Sequence, residues 1–134
     1  MRSRVWGFNL IEVMTVLVII SLCISMTVPL YQHYVVKTRR MEAANKLLQV
    51  ALALENFYAH QQRYTGATLA KLNFNTWAAS NNYRLFLQTK SHSFLLTAKA
   101  MPLQAARDRL CLDLTLDDLG QKGVTGKGGV ENCW

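Results

Sequence analysis

Apolar and polar positions divide the chain into three patterns. Residues 13–36 contain no Lys, Arg, Asp or Glu. Within them, residues 13–30 are apolar enough, and at ~1.5 Å per residue long enough, to cross a hydrocarbon core as a helix. From residue 40 the unbroken run gives way to a period. Ala44, Leu47, Ala51, Leu54 and Tyr58 recur at alternating steps of three and four, while Lys46, Gln49, Asn56 and Gln62 fall on the other side. That is the stripe of an amphipathic helix, expected to pack on the chain's own sheet. One helix from Phe8 to about Gln61 would be ~80 Å long. Pro29 cannot donate a backbone hydrogen bond and clashes with the preceding turn, so a kink is expected there.

Residues 63–82 sustain no period and mix Gly, Asn and Thr, which reads as a connecting loop with one short turn of helix at most. Its Phe74 and Trp77 are candidate recognition residues, with burial against the sheet as their expected fate. The period then becomes two. Tyr83, Leu85 and Leu87 alternate with Arg84, Phe86 and Gln88; residues 94–100 form a second run, which Pro102 ends. In residues 109–116 the leucines 110, 112, 114 and 116 share one face, opposite Cys111, Asp113 and Thr115. Residues 117–120 turn the chain, and residues 121–124 suit a short fourth strand. The pattern predicts an α+β fold, with an antiparallel sheet of three or four strands laid on the helix.

At 134 residues the chain holds at most one membrane segment and one small domain. The part after residue 36 buries only a small core and gains from a staple. Cys111 and Cys133 lie in the polar C-terminal part. His33, His60 and His92 are scattered without ligand spacing, so a disulfide closing the chain end reads better than a metal site. Such a bond implies an oxidising compartment. Cys23, inside the apolar run, reads as a small hydrophobe.

The front end is not an ordinary secretory signal. Arg2 and Arg4 precede the apolar run, but no A-x-A-like pair follows it, and bulky Leu22 before Cys23 is wrong for a lipoprotein. Moreover, Glu12 stands at the mouth of the apolar run, where a carboxylate is costly and points to function. The stretch MRSRVWG|FNLIEVMTVLVIISLCISMTVPLYQHY resembles the type IV pilin family. That family has a short basic leader ending in Gly, then Phe, a small polar residue, Leu, Ile, Glu and a long apolar helix with a proline about two-thirds along. Gly7, Phe8, Leu10, Ile11, Glu12 and Pro29 match at the family's spacing, whereas Asn9 replaces the commoner Thr and Ser21 stands where a Gly is frequent.

The resemblance implies a pilin fold in three parts: a leader at residues 1–7, a transmembrane and assembly helix at 8–36, and a periplasmic domain at 37–134. In the last, an amphipathic helix is followed by the loop at 63–82 and the sheet at 83–134. It further implies cleavage after Gly7 and N-methylation of Phe8 by a prepilin peptidase, with Glu12 serving assembly. The expected partners are other pilin subunits, the peptidase, the inner membrane before assembly and the pilus assembly platform. The chain would pass from the inner membrane, with its C-terminal domain in the periplasm, to an extracellular pilus. Arg2 and Arg4 favour a cytoplasmic leader, and the disulfide fixes that orientation.

Residues 111–123, CLDLTLDDLGQKG, with the closing ENCW, resemble the PilE-like minor pilins. Cys111, Leu114, Thr115, Leu116, Gly120, Lys122, Cys133 and Trp134 match, and the resemblance too implies a Cys111–Cys133 bond. No catalytic constellation is present and no cofactor or metal is expected. The GVTGKGG run lacks the spacing of a phosphate loop, and Asp113, Asp117 and Asp118 supply too few ligands for calcium. Two alternatives to a structural pilus subunit stay open, the first from the net charge of +7. One is a DNA-binding minor pilin for natural transformation, with Arg84, Arg107, Arg109, Lys122 and Lys127 as the phosphate-binding patch. The other is a type II secretion pseudopilin.

Overall fold

The structure, a computed structural model, describes Gly7 and residues 9–134; the leader residues 1–6 and Phe8 lie outside the described residues. Helix α1 runs Leu10–Gln61, 52 residues, and passes through Pro29 without ending. Two compact units share it, Met1–Val35 and Val36–Trp134. In the first unit the helix is apolar on all sides, and it is the one described helix long and apolar enough to cross a membrane. Its described Ser and Thr hydroxyls are satisfied within the helix. Ser21, Ser25 and Thr27 each donate to a carbonyl three or four residues back, at 2.8 Å. Such back-bonding is what an apolar medium demands of a polar side chain.

In the second unit, α1 turns amphipathic. Ala43, Ala44, Leu47, Val50 and Leu54 are buried, the face that the three-four spacing predicts. They pack on an antiparallel sheet of five strands in the order β1-β2-β3-β4-β5. The strands are β1 (Trp77–Ala78), β2 (Tyr83–Thr89), β3 (Phe94–Ala100), β4 (Leu114–Asp117) and β5 (Lys122–Val124). Helix α2 (Pro102–Arg107) links β3 to β4, and α3 (Val130–Cys133) closes the chain. Tyr83, Leu85, Leu96, Ala98, Leu114 and Leu116 supply the sheet's side of the core. Pro102 ends one element and starts the next, since the first helical position needs no amide hydrogen.

The sheet departs from the expected three or four strands at both ends of the pattern. Strand β1 adds a fifth by pairing Trp77 with Arg84 and Ala78 with Tyr83. A two-residue strand has no period to read. Its link to β2 is made by three successive residues in the left-handed region, Ala79, Ser80 and Asn81. Asn82 holds that turn, its side-chain amide donating to the Ala79 and Ser80 carbonyls.

The second departure lies in residues 109–116, where the alternating leucines form a strand only from Leu114 onward. Leu112 has a left-handed φ of 52°, which breaks the extended backbone and reverses the alternation. Upstream of the break Cys111 is buried and Leu110 is 66% exposed. The segment is a turn, with the Cys111 and Leu112 amides donating to the Asp108 carbonyl. Sulfur decides the facing here, because Cys111 must reach Cys133.

Candidate functional site

Three places carry the residues singled out from the sequence. At the start of α1, the Asn9 carbonyl accepts the amide hydrogens of Glu12 and Val13. Glu12 therefore sits in the first helical turn, where the helix dipole favours a negative charge. It is exposed, as is Gly7. Everything after it through Tyr34 is exposed too, so this half of α1 is an apolar surface with one carboxylate at its end.

The second place is the C-terminal segment. Cys111 and Cys133 form a disulfide with Cα atoms 5.5 Å apart. The glycine run between them lies against the other end of the bridge. Gly126 donates to the Cys111 carbonyl at 3.1 Å and Gly128 to the Leu110 carbonyl at 2.7 Å. A Cβ at Gly126 would overlap the Leu110 carbonyl, so the glycines serve close backbone approach rather than a free turn. Trp134 completes the closure by donating its indole N–H to the Gly123 carbonyl at 3.0 Å.

The third place is the outward face of the sheet. Arg84 on β2 lies opposite Lys99 on β3 and beside Trp77 on β1. Its guanidinium stands 5.5 Å from the Trp77 ring centre and 5.4 Å from that of Phe86. A cation between two rings is held in place by their negative faces. Trp77 and Phe74 are half-buried, and Phe74 carries Lys46 over its ring at 5.2 Å.

The five candidate cations do not share one surface row. Arg107 ends α2 and Arg109 follows in the turn. Lys122 is on β5 with its ammonium 5.1 Å over the Trp134 ring, and Lys127 is in the exposed part of the glycine run. Strand β2 is three positions from β5, or ~14 Å at the usual spacing. The register also puts Lys122 in the row of Leu116 and Leu96, the core side, whereas Arg84 is on the outward side. Two of the three carboxylates weighed as calcium ligands bond the backbone. Asp113 accepts from Ala100 N–H, and Asp117 from the amides of Leu119 and Gln121.

One constellation escaped the sequence reading. Arg40 and Asp108, both buried, pair with one guanidinium nitrogen 2.7 Å from each carboxylate oxygen. Tyr83 donates a long 3.5 Å bond to the same carboxylate, and Gln104 donates to the Tyr83 hydroxyl and the Val36 carbonyl. Burial pushes the Tyr83 phenol up to about 12, with the Asp108 charge adding to the rise. The network fastens α2 and β2 to the helix. A signal was present: Arg40 heads an otherwise apolar stripe, and a cation on that face requires a buried partner.

Comparison with known proteins agrees with this geometry. Residues 29–115 match the family model of the type IV minor pilin ComP, DNA uptake sequence receptor. Among solved structures, the non-core minor pilin PilV of Neisseria meningitidis aligns with a TM-score of 0.55 at 22% identity, over 72% of this chain and 92% of that one. A type IV pilin from Shewanella oneidensis aligns with a TM-score of 0.55 at 24% identity, over 74% and 97%. These two likenesses show the pilin fold. Comparison with curated protein sequences gives no match.

Proposed function

The chain belongs to the ComP family of type IV minor pilins, and from that membership we propose that it is a pilus subunit built to exchange lipid for like helices around the apolar half of α1. The observation that carries this is the solvent-facing apolar surface of residues 10–34, ended by a single carboxylate. Such a surface is stable only against lipid or against other apolar helices. In this reading a prepilin peptidase removes residues 1–7 at the Gly7–Phe8 bond and the Phe8 amine is methylated. The chain then waits in the inner membrane with its disulfide-closed domain in the periplasm. Assembly on the pilus platform moves the helix into a bundle. Pro29 bends it there, since the Ser25 carbonyl has no amide hydrogen to accept.

Cleavage leaves a positive amine close to Glu12, in a medium that screens charge poorly. In a filament the carboxylate meets the Phe8 amine of a neighbouring subunit and sets axial register, as a buried polar residue does in a coiled coil. The test is to shear pili from cells and sequence this chain's N-terminus. Methylated Phe8 in the pilus fraction is the expected result, and an intact Met1 there, or absence of the chain from pili, overturns the reading.

A second reading is favoured by the name of the matched family and by the row of Arg84, Trp77, Phe86 and Lys99 on the outward sheet face. Cations steadied by partly exposed rings suit a nucleic-acid backbone. Salt-dependent retardation of duplex DNA by the protein, lost in Arg84→Ala, supports it; retardation that is the same in Arg84→Ala removes it.

A further inference from the structure

A groove of about 540 Å³ lies in the second unit between α1 and the turn joining β4 to β5. Its exposed floor is Leu48, Leu52 and Leu119, the last two 67% and 75% exposed. Its rim is acidic, with Glu55, Asp117 and Asp118 lining the same space. The wall is set in advance. Tyr64 donates to the Glu55 carboxylate at 2.9 Å, and Asp117 caps the turn by accepting from the Leu119 and Gln121 amides at 3.0 and 2.7 Å. A preformed apolar groove with fixed charges loses little entropy when it is filled.

The complement of this groove is present on the same molecule. Leu103 and Leu110 are 72% and 66% exposed, and exposed Arg107 and Arg109 lie in the same short segment. That segment is also fixed, by the Arg40–Asp108 pair and by the Gln104 bond to the Val36 carbonyl. It stands at the Arg40 end of α1's amphipathic half, whereas the groove is centred near Leu52, ~18 Å further along the helix. We infer that the groove receives the Leu103–Arg107–Arg109–Leu110 segment of a second copy of this chain.

Leucines enter the apolar floor while the two arginines meet the three carboxylates, so apolar area and charge are matched together. A symmetric pairing, groove to groove, would set carboxylate against carboxylate. The two surfaces differ and are displaced along the helix, so a single head-to-tail contact leaves an unfilled groove at one end and an unused knob at the other. Contacts of that kind propagate wherever the rotation between copies does not close a ring. The inference deepens the subunit reading and rests on it.

The test uses the full chain, expressed as two differently tagged copies in one cell, both carrying Cys23→Ser. One copy bears Leu119→Cys and the other Leu103→Cys, all at exposed positions. Mild oxidation should give a disulfide-linked species with both tags, and no linkage between two Leu119→Cys copies. Adding Asp118→Arg to the groove copy should cut the yield by about tenfold, and Arg109→Asp in the other copy should restore it. No mixed species in copies that both reach sheared pili overturns the docking while leaving the subunit reading intact. A dominant groove-to-groove species, linkage only to another protein, or failure of the charge exchange to restore yield overturns it too. Mixed linkage in membranes from copies that never enter pili supports the docking and removes the subunit reading.

Discussion

Arg40 shows how a single side chain can escape a reading made from its neighbours. It heads the stripe of Ala44, Leu47, Ala51 and Leu54, and periodicity alone makes it the place where the stripe begins. In the structure it is itself 9% exposed and bonded to Asp108, 68 residues away. Sequence reading had no means to pair them, because a buried ion pair leaves no spacing signature. Removing one partner strands a charge in the core. Arg40→Ala or Asp108→Ala should therefore cost ~3–5 kcal/mol, whereas Arg40→Met with Asp108→Leu should recover much of it. Urea unfolding of the detergent-solubilised chain, followed by near-UV circular dichroism, measures both. Two buried phenols, Tyr83 in this network and Tyr64 beside Glu55, set the alkaline limit. Tyr83 and Tyr64 are pushed from 10.0 up to about 12, chiefly by burial, with the Glu55 hydrogen bond next for Tyr64. Folding favours the protonated phenols, so their stabilisation is whole below pH 10 and is lost as pH rises through 12. Absorbance at the tyrosinate band should show two phenols ionising late, together with loss of near-UV ellipticity in that window.

Elements were legible in proportion to their period. The amphipathic half of the long helix, β2 and β3 follow from three-four and two-residue repeats, Phe94–Ala100 was readable residue for residue, and the short β5 was expected only from its place after a turn. Residues 109–112 were not, because a leucine alternation continues through a left-handed backbone at Leu112 that the disulfide requires. The bond itself was legible from the chain's end; what it holds was not. Cys111 and Cys133 clamp a glycine run that hydrogen-bonds the Leu110–Cys111 backbone, so bridge and loop act as one closure. Cys133→Ser should cost ~3 kcal/mol by the chain-entropy argument for this loop. It should expose residues 124–134 to protease while the helix and β2–β3 stay protected, which limited proteolysis with mass mapping resolves. Gly126→Ala, with the disulfide intact, should free the same segment, because its methyl displaces the Leu110 carbonyl. Protection of residues 124–134 in only one variant would separate the loop from the bridge, and protection in both would overturn the closure.

For the molecule as a whole, class and family were readable from the N-terminal motif and from the change of period near residue 40. The partners of the outward sheet face and of the acidic groove were not, since surfaces obey no repeat. Glu12→Ala is the variant that acts at this scale. Nothing in the core touches Glu12, so the mutant should be cleaved after Gly7, remain stable in the inner membrane and yet enter sheared pili several-fold less well than wild type at equal cellular amounts. Quantitative immunoblots of membrane and pilus fractions decide this, and equal entry would reduce Glu12 to a helix-end charge.

Among the described residues, no core side chain precedes Val36. The free energy that folds the domain and the free energy that moves the apolar helix between surroundings are thereby held in separate accounts. A change of solvent around residues 10–34 should therefore leave the domain's melting behaviour unchanged. In the proposed subunit a mutation in the sheet should likewise leave the helix's partition between lipid and bundle unchanged. Such independence makes the domain portable: its outward face can diverge without retuning the anchor, and one anchor sequence can carry many different heads into the same fibre.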